Sequence, residues 1–146
     1  MADPLDGLVS DGTLRATTAD PQTARDELEI ARRHLASAQL VVDTDPTLAF
    51  VALYDAMRKA VTAHMRARGL RVTGGPGQHV KVGRYARAAL AGRGIDAHVD
   101  EFDVLRDMRN QSEYDAVWVR PADVRAASVH VAAILDAVAR DLDAPG

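Results

Sequence analysis

Glu101-Phe102-Asp103-Val104-Leu105-Arg106-Asp107-Met108-Arg109-Asn110-Gln111-Ser112-Glu113-Tyr114 is the stretch on which the reading of this chain turns. Phe102, Leu105 and Met108 recur at helical spacing, which predicts one apolar face turned toward a core. The closing sextet, from Arg109 to Tyr114, is a polar cluster where an amphipathic helix needs none. On a helix Asn110 and Tyr114 are i and i+4 and share a face, while Arg106 and Arg109 occupy neighbouring positions. Two guanidiniums, a carboxamide and a phenol are groups that converge on an anion, a phosphate above all. The bland counterpart is a hydrogen-bonded patch at a helix or subunit interface, or a plain Arg109–Glu113 ion pair at i, i+4.

Working outward, the same period recurs. Leu28, Ala31, Leu35, Ala38 and Val42 form one helical face, in a segment that begins near residue 21 or 23 with Asp20 or Thr23 as its cap. Asp45 precedes a proline and is biased away from helix, so that segment ends there. A second helix is expected over about 47 to 68, with Phe50, Leu53, Met57, Ala60, Val61 and His64 inward and Gly69 as its stop. Residues 72 to 77 hold three glycines and a proline and read as a loop. No strand precedes it and no Gly-Lys-Ser/Thr follows, so it is not a phosphate-cradling glycine loop. A third helix (about 78 to 91), a fourth (about 98 to 114) and a fifth from Pro121 to about 142 complete the pattern. No segment keeps a period of two, and no sheet is expected. The fold class is therefore all-α, an antiparallel bundle of about five helices. Residues 1–20 show no sustained period and read as a flexible arm with at most a short turn near residues 5 to 9. Residues 21–142 form one domain, and 143–146 a tail.

Composition narrows the class. One domain of 146 residues can hold a single core. Cysteine is absent, so neither a disulfide framework nor thiol chemistry is available, and a cytoplasmic setting fits. No apolar run has the length of a membrane span, and no signal peptide is expected. The net charge of −3 hides an asymmetry. Between Asp55 and Asp96 there is no acid, while Arg58, Lys59, Arg66, Arg68, Arg71, Lys81, Arg84, Arg87 and Arg93 are basic. Such a segment either draws a polyanion or pairs with acidic helices elsewhere. His79, Lys81 and Arg84, close to the glycine loop, join Arg106 and Arg109 as candidate phosphate binders.

Among the five histidines there is no Glu-x-x-His pair and no His-Glu-x-x-His helix, so no metal site is expected. His34 and His130 read as surface or satisfied core groups and His64 as a buried structural one. His79 and His98 each stand at a helix start. Ser10, Ser37, Ser112 and Ser128 lack any nucleophile context. Trp118, the single tryptophan, reads as a buried packing anchor, with base stacking as the alternative.

Arg109-Asn110-x-x-x-Tyr114 resembles the signature of the HEPN superfamily, in which an Arg is followed four to six residues later by a His. Ala31-Arg32-Arg33-His34-Leu35-Ala36-Ser37-Ala38 resembles the first helix of that superfamily. Tyr54-Asp55-Ala56-Met57-Arg58-Lys59-Ala60 with Gly69-Leu70-Arg71 resembles its second. The order and spacing of these short motifs, over about residues 23 to 142, carry the likeness, which is greatest to a compact actinobacterial branch. The resemblance implies a homodimer with an inter-subunit cleft that binds RNA or nucleotide and no cofactor. It implies metal-independent endoribonuclease chemistry in a toxin–antitoxin or defence module, with a nucleotidyltransferase-type antitoxin as partner. Arg109 would steady the scissile phosphate, with Asn110 and Tyr114 beside it. Here Tyr114 stands where the family has His. A phenol near pKa 10 is a poor general base at neutral pH beside an imidazole near 6.5. A catalytically inactive dimerisation or protein-interaction module is the alternative.

Overall fold

The structure, a computed structural model, describes residues 3 to 114 and 118 to 144, with the side chains of residues 113 and 114 outside that description. Within it lie α1 (Pro4–Ser10), β1 (Leu14–Ala16), α2 (Pro21–Val41), α3 (Pro46–Ala67), β2 (Leu70–Val72), α4 (Gln78–Ala89), α5 (Asp96–Tyr114) and α6 (Pro121–Asp143). The all-α expectation holds, and the five long helices fall where the periodicity puts them.

Three helices open on Asp-Pro. Asp3, Asp20 and Asp45 each cap a helix by accepting a hydrogen bond from a backbone N–H, and a proline takes the first helical position. That position has no helical use for an N–H, and proline supplies the right φ.

Helices α2 and α3 form the centre. Ala24, Leu28, Ala31, Leu35, Ala38 and Val42 alternate at four and three residues along α2. Ala49, Leu53, Ala56, Ala60, Ala63 and Ala67 repeat the same rhythm along α3. Eight of these twelve are alanines, and all but Ala67 have no exposed surface. A three-four stripe is the seam of an antiparallel helical hairpin, and alanine in it lets the two backbones approach closely. The pairing direction is set by Asp20 N–H donating to Arg66 O at 3.0 Å and by the Arg66–Glu27 ion pair at 2.8 Å. The other faces of α3 carry Phe50, Tyr54, Met57 and Val61 into the core with Tyr85, Phe102, Val131, Ile134 and Val138.

The N-terminal segment departs from the sequence reading. Residues 1–20 were expected as a flexible arm, yet Leu5, Leu8 and Leu14 are buried. β1 pairs antiparallel with β2, Leu14 opposite Val72 and Ala16 opposite Leu70, so a small two-stranded sheet exists where none was expected. Three-residue strands are too short to show a period, and their hydrogen bonds come from a partner far along the chain. Gly69 makes the junction: its φ is +68°, and a Cβ there would meet Thr17 O at 2.8 Å. Arg84 donates to Asp11 at 2.8 Å and to Thr13 Oγ1 at 2.7 Å, and Lys81 donates to Thr73 Oγ1 at 2.8 Å. The Thr13 hydroxyl and amide, with the Arg84 guanidinium, hold the Asp11 carboxyl down to about 2.

One polar group lies deep in this core. His64, on α3, is buried between Tyr85 of α4 and Asp141 of α6. Its Nε2–H donates to Asp141 Oδ2 at 2.7 Å, which leaves Nδ1 to accept from the Tyr85 hydroxyl at 2.6 Å. Arg93 completes the chain by an ion pair to Asp141. Burial lowers the His64 pKa, partly offset by the Asp141 contact, and pushes the Tyr85 phenol far up. Burial alone would raise Asp141, but the Arg93 and His64 hydrogen bonds bring its carboxyl below the usual range. The triad is therefore neutral imidazole, intact phenol and carboxylate, every partner satisfied.

Two outcomes follow from this packing. Ala60→Leu inserts three carbons into a seam with no room, and urea denaturation should show a loss of about 1–3 kcal/mol. Acidification should also destabilise the fold. An unfolded His64 takes a proton as pH falls through about 6.5, whereas the folded one resists until lower pH, so stability declines below that point. Urea midpoints at pH 7 and pH 5 should show the decline, and His64→Gln should make it shallower. A steeper decline in that variant would contradict the neutral buried imidazole.

Candidate functional site

The strongest candidate site is a cavity of about 360 Å3 framed by α2, α3, α4 and α5. Tyr54 and Asp55 of α3 form one wall, His34 of α2 another, and His79 and Arg109 come from α4 and α5. Leu48, Val51 and Ala52 supply an apolar floor, and Arg58 a further cation.

Helical periodicity explains the wall. Tyr54 is i+4 from Phe50 and i−3 from Met57, so its ring lies on the buried side. Phe102 meets it edge-on at 6.1 Å between centroids, and His79 stacks at 5.8 Å with planes at 18°. The Tyr54 hydroxyl and His79 Nδ1 are 2.8 Å apart. Above the ring the Arg109 guanidinium carbon stands 5.9 Å from the centroid, within cation–π reach. Asp55 is the local counter-ion, 2.7 Å from Arg58, 3.3 Å from His34 Nε2 and 3.8 Å from Lys59. Arg106 lies just behind, tied to Asp103 at 2.7 Å, which also pairs with Arg87 at 2.8 Å.

Burial pushes the Tyr54 phenol up to about 12, against the pull of Arg106, Arg58 and Arg109. Burial also lowers the His79 pKa, and Arg58, Arg109 and Arg106 lower it further. At neutral pH the pair is thus an intact phenol beside a neutral imidazole. If the phenol donates, Nε2 carries the remaining proton; if Nδ1–H donates to the phenol oxygen, Nε2 is a free base. Cations, a neutral imidazole and a hydroxyl around one hollow can hold an anionic oxygen group and move a proton next to it.

The predicted residues separate into three sets. Arg109 and His79 line this cavity, and Arg106 acts on it through its charge. Asn110 is exposed, one residue around the helix from Arg109. The side chain of Tyr114 lies outside the described residues. Lys81 and Arg84 are elsewhere: they share the face of α4 turned toward the N-terminal strand and are spent on Thr73, Thr13 and Asp11. Trp118 is corrected as well, being 89% exposed rather than a packing anchor. Sequence reasoning missed Tyr54, Asp55 and His34 as site residues. The only signal at Tyr54 and Asp55 was their place in the second-helix motif; nothing local pairs Tyr54 with a residue 25 positions away.

Among the described residues no group of three or more His, Cys, Asp or Glu could hold a metal, and no helix is long and apolar enough to cross a membrane. Comparison with protein-family models, with curated proteins and with solved structures finds no match to this chain.

The electrostatic coupling can be tested directly. Removing a neighbouring cation favours the imidazolium, so in Arg109→Ala the His79 ring should titrate at higher pH than in the parent, followed by NMR of labelled histidine. An unchanged titration would place Arg109 away from His79.

Proposed function

We propose that this chain is a HEPN-like homodimer that binds a nucleotide or an RNA phosphate in a cleft completed by a second copy. The observation that carries the reading is Arg109 over the Tyr54 ring, with His79 bonded to the Tyr54 hydroxyl and Arg58 on the same cavity. The guanidiniums hold the phosphate, and the apolar floor accepts a base or ribose. A twofold assembly doubles the local positive charge, and isologous dimers are the commonest closed assembly. In this reading His79 supplies the imidazole that the family motif has at the position of Tyr114. Should the site cleave, a neutral His79 accepts the 2′-hydroxyl proton while Arg109 steadies the phosphate. A toxin–antitoxin or defence setting with a nucleotidyltransferase partner belongs to the same proposal, through the family likeness alone.

The alternative, an inactive dimerisation or interaction module, draws on one observation. Arg58, Lys59, Arg66, Arg84, Arg87 and Arg93 each face an acid, so the basic segment is not a continuous track for a polyanion. That favours recognition of one or two phosphates over a long groove.

Labelled short RNA and nucleoside phosphates, followed by anisotropy against salt and by gel in the presence of chelator, decide between them. Binding should weaken with salt and fall at least tenfold in Arg109→Ala. Cleavage, where seen, should vanish in His79→Ala while binding persists. A dimer by sedimentation that binds neither RNA nor nucleotide at low salt leaves the interaction module.

A further inference from the structure

Two histidines outside the cavity face each other where α5 meets α6. His98 stands in the first turn of α5 and His130 near the middle of α6, and both are half-buried. Their Nδ1 atoms are 2.9 Å apart, with ring centroids at 5.2 Å and planes inclined by 52°. In the neutral pair one Nδ1–H donates to the lone pair of the other.

We propose that this pair is a transition-metal site, and that Cu2+ is the cation it takes best. Metal–imidazole bonds run to about 2.0–2.1 Å. Two nitrogens at such bond lengths stand about 2.9 Å apart at a right angle and about 3.3 Å apart at the tetrahedral angle. The observed separation already lies within reach of either arrangement, so both rings can serve one coordination sphere after a small turn. Imidazole sites also bind Cu2+ most tightly in the divalent first-row series.

Taking the ion requires two adjustments. Each ring turns about its Cβ–Cγ bond so that the lone pairs converge instead of facing. The donor ring moves its proton from Nδ1 to Nε2, so a neutral pair binds without net proton release. No third His, Cys, Asp or Glu joins the set among the described residues, so water fills the remaining positions. The site is thus an open two-ligand clamp rather than a closed structural centre. The clamp joins residues 32 positions apart and fixes the start of the helix whose other end carries Arg109.

Calorimetry and electron paramagnetic resonance of the full chain with Cu2+ test it. The expected result is one tight equivalent with nitrogen coupling from two imidazoles, and a rise in melting temperature. Affinity should fall at least tenfold in His98→Gln and in His130→Gln and stay unchanged in His34→Gln and His79→Gln. Zn2+ should bind more weakly than Cu2+. In the parent protein, substoichiometric Cu2+ should broaden the ring resonances of His98 and His130 first, a readout that needs no variant. Equal isotherms in parent and both variants, or broadening that begins at another histidine, would overturn the proposal and leave an ordinary interhelical hydrogen bond.

Discussion

The alanine seam between α2 and α3 is the constraint on which the rest of the molecule depends. Ala24, Ala31 and Ala38 on one helix and Ala49, Ala56, Ala60 and Ala63 on the other leave almost no side-chain volume between the two backbones. Close approach settles the rotation of α3 about its axis, and α3 touches every other long helix. Once that rotation is set, Phe50, Met57 and Val61 point into the core. Tyr54 and Asp55 fall on the edge where α4 and α5 pass. Alanine also limits what the seam contributes, since a buried methyl removes little surface from water. The N-terminal hairpin and the His64 network supply contacts that such a seam lacks.

Polar groups inside this fold follow two patterns. Around His64 every donor and acceptor has its partner, and the network pins α3, α4 and α6 together. Around the cavity the charges are balanced less evenly. Asp55 serves Arg58, Lys59 and His34 at once, and Asp103 serves Arg87 and Arg106. Burial lowers the His79 pKa, and Arg58, Arg109 and Arg106 around the cavity lower it further. This cavity is the place of the proposed phosphate recognition.

Much of the architecture was legible because its signals are local. Period, Asp-Pro caps and the glycines after helices locate α2 to α6 within a few residues. The same Asp-Pro signal stood at Asp3-Pro4, yet a seven-residue helix has too few turns for its period to show. β1 was invisible for a different reason: Leu14 pairs with Val72, and nothing near Leu14 reports that partner. Trp118 shows the limit of residue-type reasoning, since a large ring is buried only where neighbours leave a place for it, and here they do not. At the cavity, Arg109 and His79 stood out by their flanks and meet here, whereas Lys81 and Arg84 turn to Thr73 and Thr13, because basicity alone does not say which neighbours a cation on α4 meets.

The amino-acid order by itself determined the helical class, the bounds of the long helices, the uneven charge and the polar cluster on α5. Each of these depends on neighbours within one or two turns. Only tertiary structure decided that His79 meets Tyr54, that Arg109 covers the same ring, that His64 is held by Asp141, and that His98 faces His130. Such meetings depend on the rotation and crossing of helices brought together from distant parts of the chain. A shift of one residue in the seam turns a helix by about 100 degrees and sends each of these side chains to a different neighbour.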